Sequence, residues 1–212
     1  MKTDDLITAL AADLPNRPTP VSRAVAYALA TSLPLITVLL MVVAPPRPGL
    51  VGMLLEPKII VKFVFTFGLF AAGLWLATRI TRPGVETGPA RYALAAVLAM
   101  LAGAVLIELS MVPQAAWAPA MLGSYGVPCL ALIGLLSIAP FAALMMAFRA
   151  GAPDSPALAG AVAGLVAGSL AATFYATHCT EDSALFVALW YVTGILAVTA
   201  LGAVVGRYAL CW

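Results

Sequence analysis

Long apolar runs alternate with short polar breaks along the whole chain, and the breaks hold nearly all of its charge. The runs cover residues 24–43, 59–78, 92–112, 128–148, 157–177 and 184–205. About 20 apolar residues, at about 1.5 Å each in a helix, span the hydrocarbon core of a bilayer. Backbone groups placed there find no water, so each run is predicted to close its own hydrogen bonds as a helix. A transmembrane barrel would instead show shorter segments of alternating polarity, and these are absent. The breaks carry turn residues, such as PPRPG at 45–49, which suit hairpins between neighbouring helices. The predicted fold is therefore all-α: an integral membrane bundle of six transmembrane helices over residues 24–212. A short cytoplasmic segment, residues 1–23, precedes it.

Composition supports the same reading. The 212 residues are 63% hydrophobic and only 9% charged, whereas soluble domains are about 25% charged. A formal net charge of +2 gives no basis for direct nucleic-acid binding. Asp4, Asp5 and Asp13 precede the first apolar run, which is not the order of a secretory leader. Lys2, Arg17, Arg23, Arg79, Arg82, Arg91, Arg149 and Arg207 fall on one side of the predicted bundle. Arg47 and Lys58 fall on the other, with Lys62 just inside a run. The excess of basic residues on the first side places both termini in the cytoplasm.

The break YATHCTED at 175–182 gathers the single histidine, a cysteine and two carboxylates, and this orientation turns it outward. Cys129, at the start of the fourth run, falls at the same depth as Cys179, whereas Cys211 falls at the inner boundary. Two thiols on adjacent antiparallel helices can be bridged if their Cα atoms approach within about 7 Å. With His178 as a third ligand they would suit a soft metal. Simple packing of small side chains at helix ends is the other reading, since no CxxC or zinc-type spacing is present. Thr180 is the expected N-cap of the sixth helix, with Glu181 and Asp182 in its first turn; a ligand or sensing role for the two carboxylates is the other reading.

Lys62 and Glu108 lie inside runs, each about 5–6 Å below the outer boundary. An intramembrane charge normally finds a partner, so an ion pair between them is expected. Snorkelling of Lys62 is the rival. Gly160, Gly164 and Gly168 recur every four residues along the fifth run. Such a stripe allows two helix backbones to approach closely, within the bundle by preference and otherwise across a homodimer.

The segment MKTDDLITALAADLPNRP has the pattern of a short amphipathic helix. Thr3 caps it, Asp4 and Asp5 occupy its first turn, and Pro15 and Pro18 stop it. Leu6, Ile7, Leu10 and Leu14 form one apolar stripe. Without Lys or Arg on its polar face it suits the groove of a protein partner better than a membrane surface; a frayed tail is the other reading.

These fragments together resemble the NrsF-type membrane anti-sigma factors. The resemblance runs through TDDLITAL at the start, EPKIIVKF at 56–63, TRPG at 81–84, PCLALIGLLSIAP at 128–140 and APDSPALAGAVAGLVAG at 152–168. It continues through YATHCTEDSALFVALWYVTGI at 175–195 and the terminal GRYALCW. It implies six spans in a bacterial inner membrane and an N-terminal segment that binds an extracytoplasmic-function (ECF) sigma factor. It also implies two periplasm-facing cysteines, here Cys129 and Cys179, through which oxidant or heavy-metal stress releases that factor. Cys211 departs from the two-cysteine pattern.

The expected function is thus regulatory binding, with the sigma factor and membrane lipid as partners. No enzyme activity is expected, and no cofactor beyond a transient heavy-metal ion as inducer. A membrane thiol oxidoreductase is the alternative enzyme reading, against which stands the lack of a CxxC. A small solute or metal transporter would need polar residues or broken helices near the midplane, to which only Pro34 and Pro140 point.

Overall fold

The computed structural model describes Thr3 and residues 21–81, 87–151, 153 and 155–210. Asp4, Asp5, Leu6, Ile7, Leu10, Leu14 and Cys211 lie outside these residues; Thr3 is exposed.

Six helices are long and apolar enough to cross a membrane: α1 (Val21–Val43), α2 (Pro57–Ile80), α3 (Gly88–Met111), α4 (Gly126–Phe148), α5 (Pro156–Tyr175) and α6 (Ala184–Ala209). Among the described residues there is no strand. The helix starts follow local chemistry. Proline stands in the first turn of α2, α3 and α5, where its missing N–H has no helical acceptor to lose. The Ser155 hydroxyl accepts from the Leu158 amide and caps α5. Pro34 and Pro140 lie inside continuous helices, so neither opens a break. Before α4 the chain forms a 3-10 turn (Gln114–Ala116) and a short helix (Trp117–Leu122). Within α6, residues Val187–Tyr191 form a π-helical segment.

The bundle is built around α5, which packs on α2, α4 and α6. Its interior place follows from its sequence, in which Ala and Gly dominate and leave little side-chain volume to keep neighbours away. About two thirds of its apolar window is buried (67%), against 11% for α3, which packs mainly on α2 at the periphery. Helix α1 lies along α4.

The closest approach is between α5 and α6. A Cβ added at Gly160 would stand 2.1 Å from the Gly202 carbonyl oxygen, and one at Gly164 would stand 2.4 Å from that of Val198. In return, Gly202 and Gly206 of α6 leave no room for a Cβ against Gly160 and Pro156. Gly168 is looser, its nearest neighbour being 3.4 Å away. The glycine face of α5 is thus occupied by a helix of the same chain.

The buried hydroxyls in the bundle bond to their own helices. Ser32 donates to Leu29 O, Thr66 to Lys62 O, Ser137 to Gly134 O and Ser169 to Leu165 O. Among the described residues the buried charged groups, Lys62 and Glu108, are both at one end, the end that carries the two cysteines. No polar midplane site of the kind a transporter needs is formed by these side chains.

Candidate functional site: the cysteine end of the bundle

The connection from α5 to α6, residues 176–183, first finishes α5. The amides of Ala176, Thr177, His178 and Cys179 donate back to the carbonyls of Ala172, Phe174 and Tyr175. Two cations from elsewhere in the chain then hold the connection down. Lys62 of α2 is fully buried, and its ammonium donates to Asp182 Oδ1 at 2.5 Å, Cys179 O at 2.9 Å and Glu181 O at 3.2 Å. Three donors meet three acceptors, which is what makes a buried ammonium tolerable. Arg47, in the segment that follows α1, donates from Nη1 to Asp182 Oδ2 at 2.8 Å and from its backbone amide to Thr177 O at 3.0 Å. His178 Nδ1 donates to Pro45 O at 2.7 Å.

These contacts correct two expectations. Lys62 and Glu108 do not pair with each other. Equal depth on neighbouring helices put them at one level, but the direction in which each side chain leaves its helix separates them. Lys62 points under the 176–183 connection, while Lys58, one turn nearer the helix end, reaches Glu108 Oε1 at 3.0 Å. Glu108 Oε2 also accepts from Ser183 Oγ at 3.1 Å, the Ala184 amide at 2.6 Å and the Leu185 amide at 3.3 Å. It therefore caps the start of α6 from α3, where the free amides and the helix dipole favour a carboxylate. Thr180 does not cap α6 either. Ser183 does so, accepting from the Leu185 amide at 3.2 Å. Asp182 is drawn away by the two cations, and Glu181 Oε1 accepts from the Ser124 amide at 3.0 Å.

Cys129 and Cys179 are brought into one buried cluster with Tyr175, Phe186 and Tyr191. Both thiols are free, and their exposures are 0% and 2%. The rings of Tyr175 and Tyr191 are 5.8 Å apart beside them. The π segment shapes this wall. It turns Tyr191 fully inward, while Trp190 Nε1 donates outward to Met121 O and Leu122 O. Such segments disturb the regular helical register and recur at functional sites.

The expected three-ligand metal set is not formed. Among the described residues no three His, Cys, Asp or Glu side chains gather to hold an ion. His178 stands apart because its Nδ1 is committed to Pro45, so two thiols are what the cluster offers a thiophilic metal or an oxidant. A pocket of about 330 Å³ opens beside them, bounded by the Pro45–Pro48 segment, Tyr125, Tyr175, His178 and Cys179.

Several of these residues carried no sequence signal. Arg47 looked like a turn residue, Lys58 like an interfacial charge, and Gly202 with Gly206 like ordinary small residues. Only the four-residue spacing of the last pair, matching that of Gly160 and Gly164, was there to be read.

Comparison with known proteins matches residues 10–212 to the family described as negative regulator of sigma F, NrsF. A protein of Azospira oryzae called probable anti-sigma-F factor NrsF is 38% identical over 218 aligned positions, covering all of both chains. The anti-sigma-F factor NrsF of Caulobacter vibrioides is 36% identical over 217, again covering all of both. No solved structure matches the chain.

Proposed function

Because the chain belongs to the NrsF family of negative regulators of sigma F, we propose that it is an inner-membrane anti-sigma factor with both termini in the cytoplasm. Its segment 3–14, with the acidic Asp4 and Asp5 and the stripe Leu6, Ile7, Leu10 and Leu14, holds an ECF sigma factor out of use. Oxidant or heavy-metal chemistry at Cys129 and Cys179, on the opposite face of the membrane, releases it. Oxidation joins the two sulfurs, and two protons and two electrons leave, the electrons passing to the oxidant. A soft divalent metal instead takes both sulfurs as thiolates and displaces the two protons.

The observation that carries this reading is the attachment of the cysteine connection to α1. The sigma-binding segment leads into α1 at Val21, and the other end of α1 runs into Pro45–Arg47. That end is tied to residues 177–182 by His178 to Pro45 O, the Arg47 amide to Thr177 O, and Arg47 to Asp182. Cys129 sits on α4, the helix along which α1 packs. Moving either sulfur therefore strains a direct attachment of the first helix. A tenfold loss of affinity needs about 1.4 kcal/mol, and one hydrogen bond to a charged group contributes about 1.5–3 kcal/mol. Loss of a single link is large enough.

The test is capture of partners from host lysate by the purified protein and by the chain lacking residues 2–14. Full-length protein is expected to retain a sigma factor identifiable by mass spectrometry, and the truncated chain to lose it. Absence of a sigma factor with both chains, under reducing and oxidising conditions, would overturn the proposal.

A further inference from the structure

The buried serine and threonine hydroxyls of the bundle bond to their own helices, and Tyr191 does not follow them. Its side chain is fully buried, and its hydroxyl has no hydrogen-bond partner and no contact with bulk water. A stranded donor of this kind costs free energy. Phenylalanine, which stands at Phe186 in the same cluster, would fill the space without that cost. The oxygen is therefore idle in packing. It belongs to the π-helical segment Val187–Tyr191, a departure from regular helix of the kind that recurs at functional sites.

The side chains that act on this hydroxyl are Cys179, Cys129 and Tyr175, with Cys179 nearest to hydrogen-bond contact. No bond is made while Cys179 is a neutral thiol, because such a sulfur is a weak acceptor. The thiol's own proton leans the other way, toward Glu181 O at 3.9 Å. Charge on the sulfur changes this. A thiol gives up its proton before it attacks an oxidant or binds a metal, and a thiolate left in an apolar cluster needs a donor. Lys62 brings positive charge from α2, but its three donors are taken by Asp182, Cys179 O and Glu181 O. Tyr175 approaches the same sulfur, yet its hydroxyl is not stranded in the resting state. Among the described residues of the cluster, Tyr191 holds the uncommitted buried donor.

We propose that Tyr191 is a positioning residue for the thiol chemistry, its hydroxyl donating to the sulfur of Cys179 as that sulfur becomes a thiolate. The proposal rests on the reading of Cys129 and Cys179 as the reactive pair and supplies the donor that a buried thiolate requires. The tyrosine keeps its proton throughout. The thiol proton leaves to water, and the two electrons given up when the sulfurs join still pass to the oxidant.

The experiment compares full-length wild type with Tyr191→Phe, which removes one oxygen and keeps the ring, both in nanodiscs at one fixed pH. Labelling by a small uncharged thiol reagent is followed at each cysteine by mass spectrometry, with Cys211 as the internal reference. Cys179 is expected to react about tenfold or more slowly in Tyr191→Phe, the scale of a lost hydrogen bond to a charged group, while Cys211 keeps its rate. Thermal unfolding of the resting protein should be unchanged or raised in Tyr191→Phe, because the change removes an unpaired hydroxyl. A structural donor would show the opposite sign. Cadmium ion gives a spectroscopic reading. Its sulfur-to-metal charge-transfer band is expected at higher energy in wild type than in Tyr191→Phe, since a hydrogen bond lowers the energy of the sulfur electrons. A wild-type labelling rate at Cys179, an unshifted band, or loss of stability or folding in Tyr191→Phe would each overturn the inference alone. Thiols inert in wild type to both the reagent and cadmium would overturn the reactive-pair reading with it, so the two failures are told apart.

Discussion

Lys62 and Asp182 meet at 2.5 Å beneath the connection that carries Cys179, the lysine wholly buried and the aspartate 19% exposed. Two further Lys62 bonds go to backbone carbonyls of the same connection, so one α2 side chain fixes the backbone on which the candidate site rests. Arg47 completes the cluster on the other oxygen of Asp182.

Removing one member of such a cluster costs more than the intact pair contributes, because the remaining charge stays buried without a partner. Asp182→Asn is therefore expected to destabilise the protein by about 3–5 kcal/mol in denaturant titrations in detergent. Lys62→Met combined with Asp182→Leu should lose less than the sum of the single changes, with a coupling above about 1 kcal/mol. Lys62→Met with Glu108→Gln should lie much nearer additivity. The reverse ordering would mean that Lys62 and Glu108 are the true partners.

The difference between those two pairings shows what the sequence makes legible. Six apolar runs, their order and their turns follow from the cost of an unpaired backbone in hydrocarbon, which is a one-dimensional constraint. Depth is one-dimensional too, so Lys62, Glu108, Cys129 and Cys179 were readable as lying near one end. Azimuth is not. Whether Lys62 faces α3 or the 176–183 connection depends on how α2 is rotated against α5, which is set by the small side chains of α5 packed around it. The π segment was invisible for a related reason. Its register serves the packing of Tyr191 and Trp190, and FVALWY reads as any apolar helix. The α5 stripe was legible because its small-residue spacing is local, whereas the face it meets on α6 lies some forty residues away.

Glu108 gives a second prediction. Glu108→Ala would leave the Ala184 amide and the Ser183 hydroxyl without their shared acceptor, at about 1–3 kcal/mol for each buried donor stranded, while the Leu185 amide keeps Ser183 Oγ. Glu108→Gln retains an acceptor and should be markedly milder. Lys58→Met should have little effect, because that side chain is 62% exposed and exposed pairs contribute about 0–1 kcal/mol. Hydrogen exchange at Ala184 should accelerate in Glu108→Ala and stay close to wild type in Lys58→Met, with Leu185, still bonded to Ser183 Oγ, changing less in both. Equal acceleration in both would make the ion pair, rather than the cap, the stabilising feature.

The α5–α6 contact yields a third. Gly160→Ala and Gly202→Ala each drive a methyl group into an opposing backbone carbonyl, which cannot rotate aside as a side chain can. Each is expected to lower stability by about 1–3 kcal/mol or more. Gly103→Ala and Gly134→Ala meet nothing within 4 Å and should be neutral or slightly stabilising, since alanine is the better helix former by about 1 kcal/mol. Thermal unfolding of the four variants measures this directly, and equal loss in all four would contradict the close approach.

The last prediction concerns the thiols. If Cys129 and Cys179 act as one pair, Cys129→Ser and Cys179→Ser should each abolish stress-induced release as completely as the double change, because either leaves a single sulfur that can form neither the bridge nor a two-thiolate metal site. A half-sized response in either single variant would break the pair into independent groups. Coupling between binding and thiol chemistry must also be reciprocal. If joining the sulfurs weakens sigma-factor binding tenfold, bound sigma factor must make the bridge tenfold harder to form, a shift of about 30 mV in the dithiol potential. Titrating the protein against a thiol–disulfide redox buffer, with and without its partner, reads that shift. An unchanged potential would mean that the two ends of α1 are energetically independent, and the route from the 176–183 connection through Arg47 and Pro45 would then carry no signal.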